Sequence, residues 1–375
     1  MIFSGMVISL LYLLLIMAFI FGMKKSKVVK NENAVPKNRF SIVIPFRNEA
    51  HNLPNLLNSL SALNYPSELF EILLVNDDSQ DNFNHILAAF TKQNQNLNLH
   101  LIQNVRKTKS PKKDAINTAI KLSNFEWIIT SDADCIVPKL WLQLFNQFIE
   151  DEKPVFISAP VKFSPQNSML FHFQNLNFIS LMGSTIGGFG IHKPFMCNGA
   201  NLCYRKDAFF EVNGFADNTS IASGDDIFLL EKMLKIYPKK VKFLKSKEAI
   251  VETNSENTWK VFLNQQIRWA SKSVSYKNPF AKFVGIAVFL ENLTVLILGI
   301  SAMLFPQNWL YFIPVFTLKI LVDFILIAQT SVFLKNTKSL KYYIPLSLLY
   351  PFFIVFTGCL STFKSYDWKG RSFKK

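Results

Sequence analysis

Glu126–Cys135 reads EWIITSDADC, an apolar run that ends in acid. Trp127, Ile128 and Ile129 are bulky or β-branched, and the run is short, so it predicts a buried strand. The strand delivers Asp132 and Asp134 to its C-terminal end. If the backbone stays extended there, alternation puts both carboxylates on one side. Like charges at a buried strand end repel unless something positive joins them, and a divalent cation carrying phosphate oxygens is one such partner. A solvated turn bearing two acids is the competing reading. The rest of the chain decides between them.

Upstream, strands alternate with helices. Phe40–Pro45 (FSIVIP), Phe70–Val75 (FEILLV) and Leu97–Gln103 read as strands, and Glu49–Leu63, Asp81–Phe90 and Lys112–Leu122 as helices. Alternation of this kind implies parallel pairing, because parallel strands need crossovers. Ligands of such sheets bind at the C-terminal ends of the strands. The polar residues gather there: Asn48 and Glu49 after the first strand, Asp77 after the second, Asp132 and Asp134 after the fourth. Further on, Val155–Ala159 and Val241–Leu244 read as strands, and Gly224-Asp225-Asp226 opens a helical pattern. Phe171–Ile191 is aromatic, polar and Gly-rich at once and predicts a surface loop lying against a membrane. Asn257–Lys272 predicts an amphipathic helix at the membrane interface, with Trp259, Phe262, Leu263 and Trp269.

Half of the 375 residues are hydrophobic, and 37 are Phe, unevenly spread. Ile2–Met23 carries no charge and is followed by Lys24, Lys25, Lys27 and Lys30. Its length suits a bilayer span and its basic flank places the following residues in the cytoplasm. The basic residues follow the apolar run instead of preceding it, so an uncleaved anchor is expected over a signal peptide. Ala281–Phe305, Trp309–Leu334 and Tyr342–Phe363 are each long enough to span. Lys319 and Asp323 lie four residues apart within them and predict an ion pair on one helix face. One N-terminal and three C-terminal spans would put the basic tail outside, against the positive-inside tendency. A Tyr342–Phe363 that is re-entrant or lies in the interface, as its charge flanks and Pro345 and Pro351 suggest, would resolve the conflict. The organisation expected is therefore an anchor (1–23), a basic linker (24–39), a cytoplasmic catalytic domain (40–256), an interface helix region (257–280), membrane helices (281–363) and a basic tail (364–375). The cell inner membrane is the expected location if the source is bacterial.

The formal charge of +15 suits nucleic acid, an anionic membrane surface or a phosphorylated substrate. Because the basic residues are largely juxtamembrane, anionic lipid explains them better, and no nucleic-acid partner is expected. The four cysteines show neither zinc spacing nor a disulfide framework. A lysine at a helix start, Lys112, attracts phosphate. Asp77 can accept from a base or ribose, two carboxylates can hold a metal against a diphosphate, and a further acid can act as general base on a hydroxyl. Displacement at a carbon bearing a nucleoside diphosphate fits this set, which describes glycosyl transfer.

In order along the chain, SIVIPFRNEA (Ser41–Ala50), VNDDSQD (Val75–Asp81), KKDAIN (Lys112–Asn117), DAD (Asp132–Asp134), NGANLCYRKDAFFEVNGF (Asn198–Phe215), SGDD (Ser223–Asp226) and QQIRW (Gln265–Trp269) resemble the motifs of membrane-bound family-2 glycosyltransferases. The resemblance implies an α/β fold of GT-A type, a mostly parallel nucleotide-sugar-binding sheet, with one N-terminal and about three C-terminal transmembrane or membrane-embedded helices. It assigns nucleotide binding to Pro45, Asn48, Glu49, Asp77, Lys112 and Asp132. It assigns the metal, Mg²⁺ or Mn²⁺, to Asp134 and Asp132, with Asp132 leaning toward the nucleotide or reaching the metal through water. It makes Asp226 the base, with Asp225 either a second catalytic group or its structural partner. Gln265, Arg268 and Trp269, which share one helix face, would take the acceptor or the diphosphate. The same face would suit a Trp anchor and a snorkelling Arg, and the upstream acids favour the site.

Two departures stand out: Pro111 replaces a glycine common before the lysine, and Gly224 replaces an acidic or hydroxyl residue. The implied reaction is inverting transfer from a nucleoside-diphosphate sugar, expected to be UDP-linked, to a membrane lipid or glycan acceptor. Two readings compete. A processive polysaccharide synthase shares Q-x-x-R-W. A channel or transporter built on the C-terminal spans leaves residues 40–275 unexplained.

Overall fold

The computed structural model describes residues 2–363 except Asp217, Ser220, Ala222 and Val274, together with the backbone of residues 366–368 and 371–373. In chain order the elements begin with α1 (Ile2–Lys25), β1 (Phe40–Phe46), α2 (Leu53–Ser61), β2 (Phe70–Asn76), α3 (Phe83–Gln93), β3 (Leu99–Gln103), α4 (Pro111–Leu122) and β4 (Trp127–Thr130). Then come α5 (Trp141–Glu152), β5 (Phe156–Ser158), β6 (Val161–Phe163), α6 (Met169–Gly190), β7 (Leu202–Arg205), α7 (Lys206–Glu211), α8 (Asp225–Ile236), β8 (Val241–Phe243) and β9 (Val251–Thr253). The last are α9 (Trp259–Ser273), α10 (Pro279–Leu304), α11 (Trp309–Phe333), α12 (Tyr343–Phe363), β10 (Tyr366–Trp368) and β11 (Arg371–Phe373). They form two compact units: Lys27–Ser164 with Met196–Asn254, and Met1–Ser26 with Pro165–Phe195 and Ser255–Lys375.

The first unit is α/β. Its seven-stranded sheet has the order β3-β2-β1-β4-β7-β5-β8. β3, β2, β1 and β4 are parallel, joined by helical crossovers, and β7 enters antiparallel between β4 and β5. β2 and β4 are buried throughout, as strands covered on both faces must be, which is why they read as unbroken apolar runs. The exception is Glu71, a fully buried carboxylate on β2. It accepts from Ser41 Oγ (2.6 Å), Asn124 N (2.6 Å) and Asn124 Nδ2 (2.7 Å), which fastens the entry to β4 onto the sheet. In register, Phe46 lies beside Asn76, and Asn76 beside Gln103. Residues just beyond these positions therefore emerge at one edge, where β1 is flanked by β2 and β4 and the strand order reverses.

The second unit is largely apolar. α1, α10, α11 and α12 are each long and apolar enough to cross a membrane. α12 continues unbroken through Pro351. Pro345 sits in the first turn, where a missing N–H costs nothing, and an apolar helix tolerates Pro351 when neighbours satisfy the freed carbonyl. The expected basic tail, residues 364–375, lies outside the described residues apart from the backbone pairing of β10 with β11. The expected ion pair is present: Lys319 Nζ lies 2.7 Å from Asp323 Oδ2, and Tyr12 Oη donates to Asp323 Oδ1 at 2.6 Å. Glu291, also within the apolar runs, accepts from Ser9 Oγ at 2.8 Å.

Phe171–Ile191, expected as a surface loop, is instead the core of helix α6, and nearly all of it is buried. Its glycines made the composition unlike a helix, and their contacts explain them. A Cβ on Gly187 would stand 2.5 Å from the Phe19 carbonyl oxygen, and one on Gly190 would run into the carbonyl of Gly22. Gly22 meets Gly187 in the same way from α1. The two backbones approach closely because no side chain separates them, the device that packs helices where lipid removes the hydrophobic drive. α6 also buries a polar set: His172 Nδ1 and Asn175 Nδ2 lie 3.0 and 2.7 Å from Ser339 Oγ, and Asn175 and Asn336 exchange amide hydrogen bonds.

The seam yields a contrast between two glycines. Gly190→Ala is expected to destabilise the detergent-solubilised protein by about 1–3 kcal/mol or more. Gly285→Ala, inside α10 where a Cβ meets nothing within 4 Å, is expected to be neutral or to stabilise by up to about 1 kcal/mol. Thermal unfolding measures both, and equal midpoints would refute the seam.

Candidate active site

The first half of the site forms where β1, β2 and β3 end. Asn48 and Asp78 take left-handed backbone angles (φ 54° and 62°), which asparagine and aspartate tolerate. Asn48 N donates to Ser79 Oγ (3.0 Å) and its Oδ1 accepts from Gln80 N (2.8 Å). Asn48 thus binds the two loops to each other. Glu49 closes the start of α2, accepting from Asn52 Nδ2 at 2.6 Å, and Pro45 stays within β1. Asp77 is buried, and its Oδ1 accepts from Arg106 Nε (2.6 Å) and Asn104 Nδ2 (2.7 Å). Arg47 Nη1 donates to the carbonyls of Asp77 (2.7 Å) and Asp78 (2.8 Å). The hydrogen bond to Asp77, more than its charge, raises the Arg106 pKa, so this guanidinium is permanently charged. Asn76, Asp77, Asp78, Ser79, Gln103, Asn104 and Arg106 line an open cavity of about 380 Å³.

The second half centres on Lys112. Pro111 occupies the first position of α4, where its missing N–H is an orphan anyway. The next residue sends its ammonium between two acids, 2.7 Å from Asp132 Oδ1 and 3.2 Å from Asp225 Oδ2. Burial by itself would lower the Lys112 pKa; Asp132, Asp225 and Asp226 outweigh it and hold the ammonium above the usual lysine range. Asp226 Oδ2 accepts from Gly199 N at 3.3 Å. A Cβ at Gly199 would stand 3.2 Å from Asp225 Oδ2 and 3.5 Å from Lys112 Nζ, so glycine there keeps the acid cluster open. Gly224, the cap of α8, has φ 83°, which explains the departure noted at this position: a side chain would strain the turn that aims both acids.

Asp132 and Asp134 part company. β4 ends at Thr130, and Cys135 N donates to Asp132 O (3.2 Å), closing a turn. The backbone is not extended there, so alternation does not align the carboxylates. Asp132 faces Lys112, while Asp134 Oδ2 accepts from Thr253 Oγ1 at 3.0 Å. Among the described residues no three His, Cys, Asp or Glu side chains gather closely enough to hold a metal by themselves.

In the apolar unit, α9 carries Gln265, Arg268 and Trp269 at helical spacing on one face. Gln265 Nε2 donates to Glu256 Oε1 at 2.7 Å, and the buried Gln265 Oε1 has no hydrogen-bond partner among the described residues.

Sequence reading missed Arg47, Asn104, Arg106, Gly199 and Lys113. A signal for Arg106 existed. It stands three residues beyond β3, and the register puts that loop beside the one carrying Asp77.

A model of "Glycosyl transferase family 2" matches residues 41–210, and one of "Glycosyl transferase family group 2" matches residues 127–355, more than half of the chain. The chain belongs to the family-2 glycosyltransferases. A crystal structure of the mannosyltransferase PcManGT from Pyrobaculum calidifontis, in complex with GDP-Man and Mn²⁺, superposes with a TM-score of 0.58 over 96% of each chain at 12% identity, a likeness of fold. The probable glycosyltransferase YdaM of Bacillus subtilis is 25% identical over 242 residues, covering 64% of this chain and 56% of that one. A poly-beta-1,6-N-acetyl-D-glucosamine synthase of Staphylococcus aureus is 25% identical over 230 residues, covering 60% and 52%. The transferase thus spans a little over half the length of these curated relatives.

The Lys112 cluster sets a pH dependence. Because its pKa is raised on folding, the lysine's contribution is complete below the ordinary lysine pKa and is lost only as pH rises through the folded value. Lys112→Met leaves Asp132 and Asp225 facing each other. The variant is expected to lose on the order of 2 kcal/mol at neutral pH. The deficit should hold up to about pH 9 and shrink only as pH rises beyond the ordinary lysine pKa of about 10.4 toward the raised folded value. Thermal unfolding from about pH 6 upward measures it; a deficit that already shrinks between about pH 6 and 9 would contradict the arrangement.

Proposed function

We propose that the transferase moves one sugar from a nucleoside-diphosphate sugar, UDP-linked in our reading, to a hydroxyl of a membrane lipid or lipid-linked acceptor, with inversion at the anomeric carbon. The observation that carries this is the convergence of Lys112, Asp132, Asp225 and Asp226 at the edge of the sheet that also bears Asp77. Asp77, with Arg106 and the cavity beside it, suits a base or ribose: a fixed carboxylate accepts from an N–H or hydroxyl, and the guanidinium donates to a carbonyl. Pro45, Asn48 and Glu49 shape that loop. Lys112 and the first turn of α4 suit a phosphate.

Asp226 is proposed as the base. It sits in the first turn of α8 beside Gly199 N, where its carboxylate can accept the acceptor's proton. Asp225, paired with Lys112, is proposed as its charge-setting neighbour. Gln265, Arg268 and Trp269 are proposed to take the acceptor or diphosphate, the role their motif suggests. Oxygen donors on the Asp132–Cys135 turn suit Mg²⁺ or Mn²⁺, hard cations that complete their shell with substrate phosphates and water when a protein offers one or two carboxylates. Asp134 and Asp132 would hold it, and the bound cation would neutralise charge on the diphosphate leaving group. We place the α/β unit, Lys27–Ser164 with Met196–Asn254, which makes up most of the expected catalytic span 40–256, in the cytoplasm, and the four long apolar helices in the membrane.

A second reading, processive polysaccharide synthesis, is favoured by the polymer-forming name of the S. aureus relative. Product length separates the two: a polymer ladder against a single shifted lipid spot.

The deciding experiment is a donor screen: purified protein, membrane lipid extract and a panel of radiolabelled nucleotide sugars. With the productive donor, Asp226→Asn is expected to lower kcat by about 100- to 10,000-fold while nucleotide binding stays nearly intact. Full activity in that variant would remove the assigned base. Asp134→Ala is expected to weaken nucleotide binding only when Mg²⁺ or Mn²⁺ is present. Wild-type activity that persists in EDTA would count against the metal role of Asp132 and Asp134.

A further inference from the structure

The first turn of α4 sends three consecutive charges in three directions. Asp114 accepts from Lys107 N (3.0 Å) and Thr108 N (2.8 Å) and closes the loop ahead of the helix. Lys112 reaches Asp132 and Asp225. Lys113 turns inward. It is 1% exposed, its ammonium donates to the carbonyl oxygens of Asn218 and Ile221 at 2.8 Å each, and it lies 5.0 Å from the centre of the Phe228 ring.

Local energetics do not account for that placement. Positive charge near a helix N-terminus opposes the dipole, and taking an ammonium out of water is costly. Its partners do account for it. Asn218 and Ile221 belong to the segment that runs into Gly224, and Phe228 lies on α8 just beyond Asp225 and Asp226. One ammonium therefore grips the chain before and after the two acids. Gly224, with φ 83°, joins the gripped stretches and offers little resistance of its own.

We propose that Lys113 is a positioning residue for the acid pair. Through the carbonyls of Asn218 and Ile221 and the ring of Phe228 it sets where Asp225 and Asp226 stand relative to Lys112. Since Lys112 is the adjacent residue of the same helical turn, α4 fixes the phosphate-side cation and the base-side loop as one piece. The proposal rests on the reading of Asp226 as the base. Lys113→Met keeps the length and the apolar stem, and removes the hydrogen bonds to Asn218 and Ile221 and the charge over the ring.

The test compares full-length wild type with Lys113→Met, Lys113→Gln and Lys113→Arg. It reads kcat and donor KM with the nucleotide sugar selected by the screen, and counts UDP- or GDP-binding sites per chain by calorimetry with Mn²⁺. In Lys113→Met, kcat per binding site should fall about 10- to 100-fold, the cost of a misplaced catalytic group. Donor KM and site count should stay within about twofold, and Lys113→Arg should recover part of kcat. A fall in kcat matched by an equal fall in binding sites would mark a merely structural lysine and overturn the proposal. So would unchanged kcat per site in Lys113→Met or, if that variant does not purify, in Lys113→Gln. A wild type inactive with every donor refutes the transferase reading first, and this proposal with it.

Discussion

Carboxylates gathered at the edge of a sheet repel one another, and the ammonium of Lys112 between Asp132 and Asp225 is what lets them gather here. Much of the local architecture follows from that need. Pro111 starts α4 early enough to aim the lysine inward. Gly199 leaves the space the ammonium and Asp225 occupy. Gly224 supplies the left-handed turn that brings Asp225 and Asp226 to the same place. Each is a residue whose side chain, or lack of one, is dictated by a charge elsewhere.

The acid on the neighbouring strand end obeys the same rule with a different cation. Asp77 is held by Arg106, as Asp132 is by Lys112. Arg106 and Lys112 both come from the one connection between β3 and β4, which also carries the buried Lys113. The connection thus supplies both charges that face the acids, and Asp114 ties its two ends together through Lys107 and Thr108. A planar guanidinium at the Asp77 end and a compact ammonium at the other suit different ligand parts. A fork fits the flat edge of a base or a carboxylate, and a point charge fits phosphate oxygens.

How far the sequence revealed this depended on whether the signal was periodic or geometric. The parallel strands, their order of helices and the acids at their ends could be read because buried strands are unbroken apolar runs flanked by polar turns. Asp77 and Asp132 were legible for that reason, Lys112 as a lysine at a helix start, and Asp225 and Asp226 through the resemblance of their motif. The divergence of Asp132 from Asp134 was not, because alternation holds only while the backbone stays extended, and one hydrogen bond from Cys135 to Asp132 ends it. Arg106 was hidden beside Lys107 and Lys109, loop residues of equal charge, where only strand register singles it out. Lys113 was hidden by its neighbour: two lysines in a row read alike, although one faces the acids and the other is buried.

The reading of Phe171–Ile191 failed for a reason that belongs to the solvent. In water a helix declares itself by one apolar face, and glycine within it costs up to about 1 kcal/mol relative to alanine. Among apolar helices the accounting reverses. Where the surroundings are as greasy as leucine, association relies on close van der Waals contact and on hydrogen bonds between helices. Glycines at 187 and 190 then create contact, since each lets the α1 backbone approach without a side chain between. His172 and Asn175 are buried with Ser339 and Asn336 as hydrogen-bond partners. A segment at once aromatic, polar and Gly-rich is thus what a helix packed among apolar helices should contain.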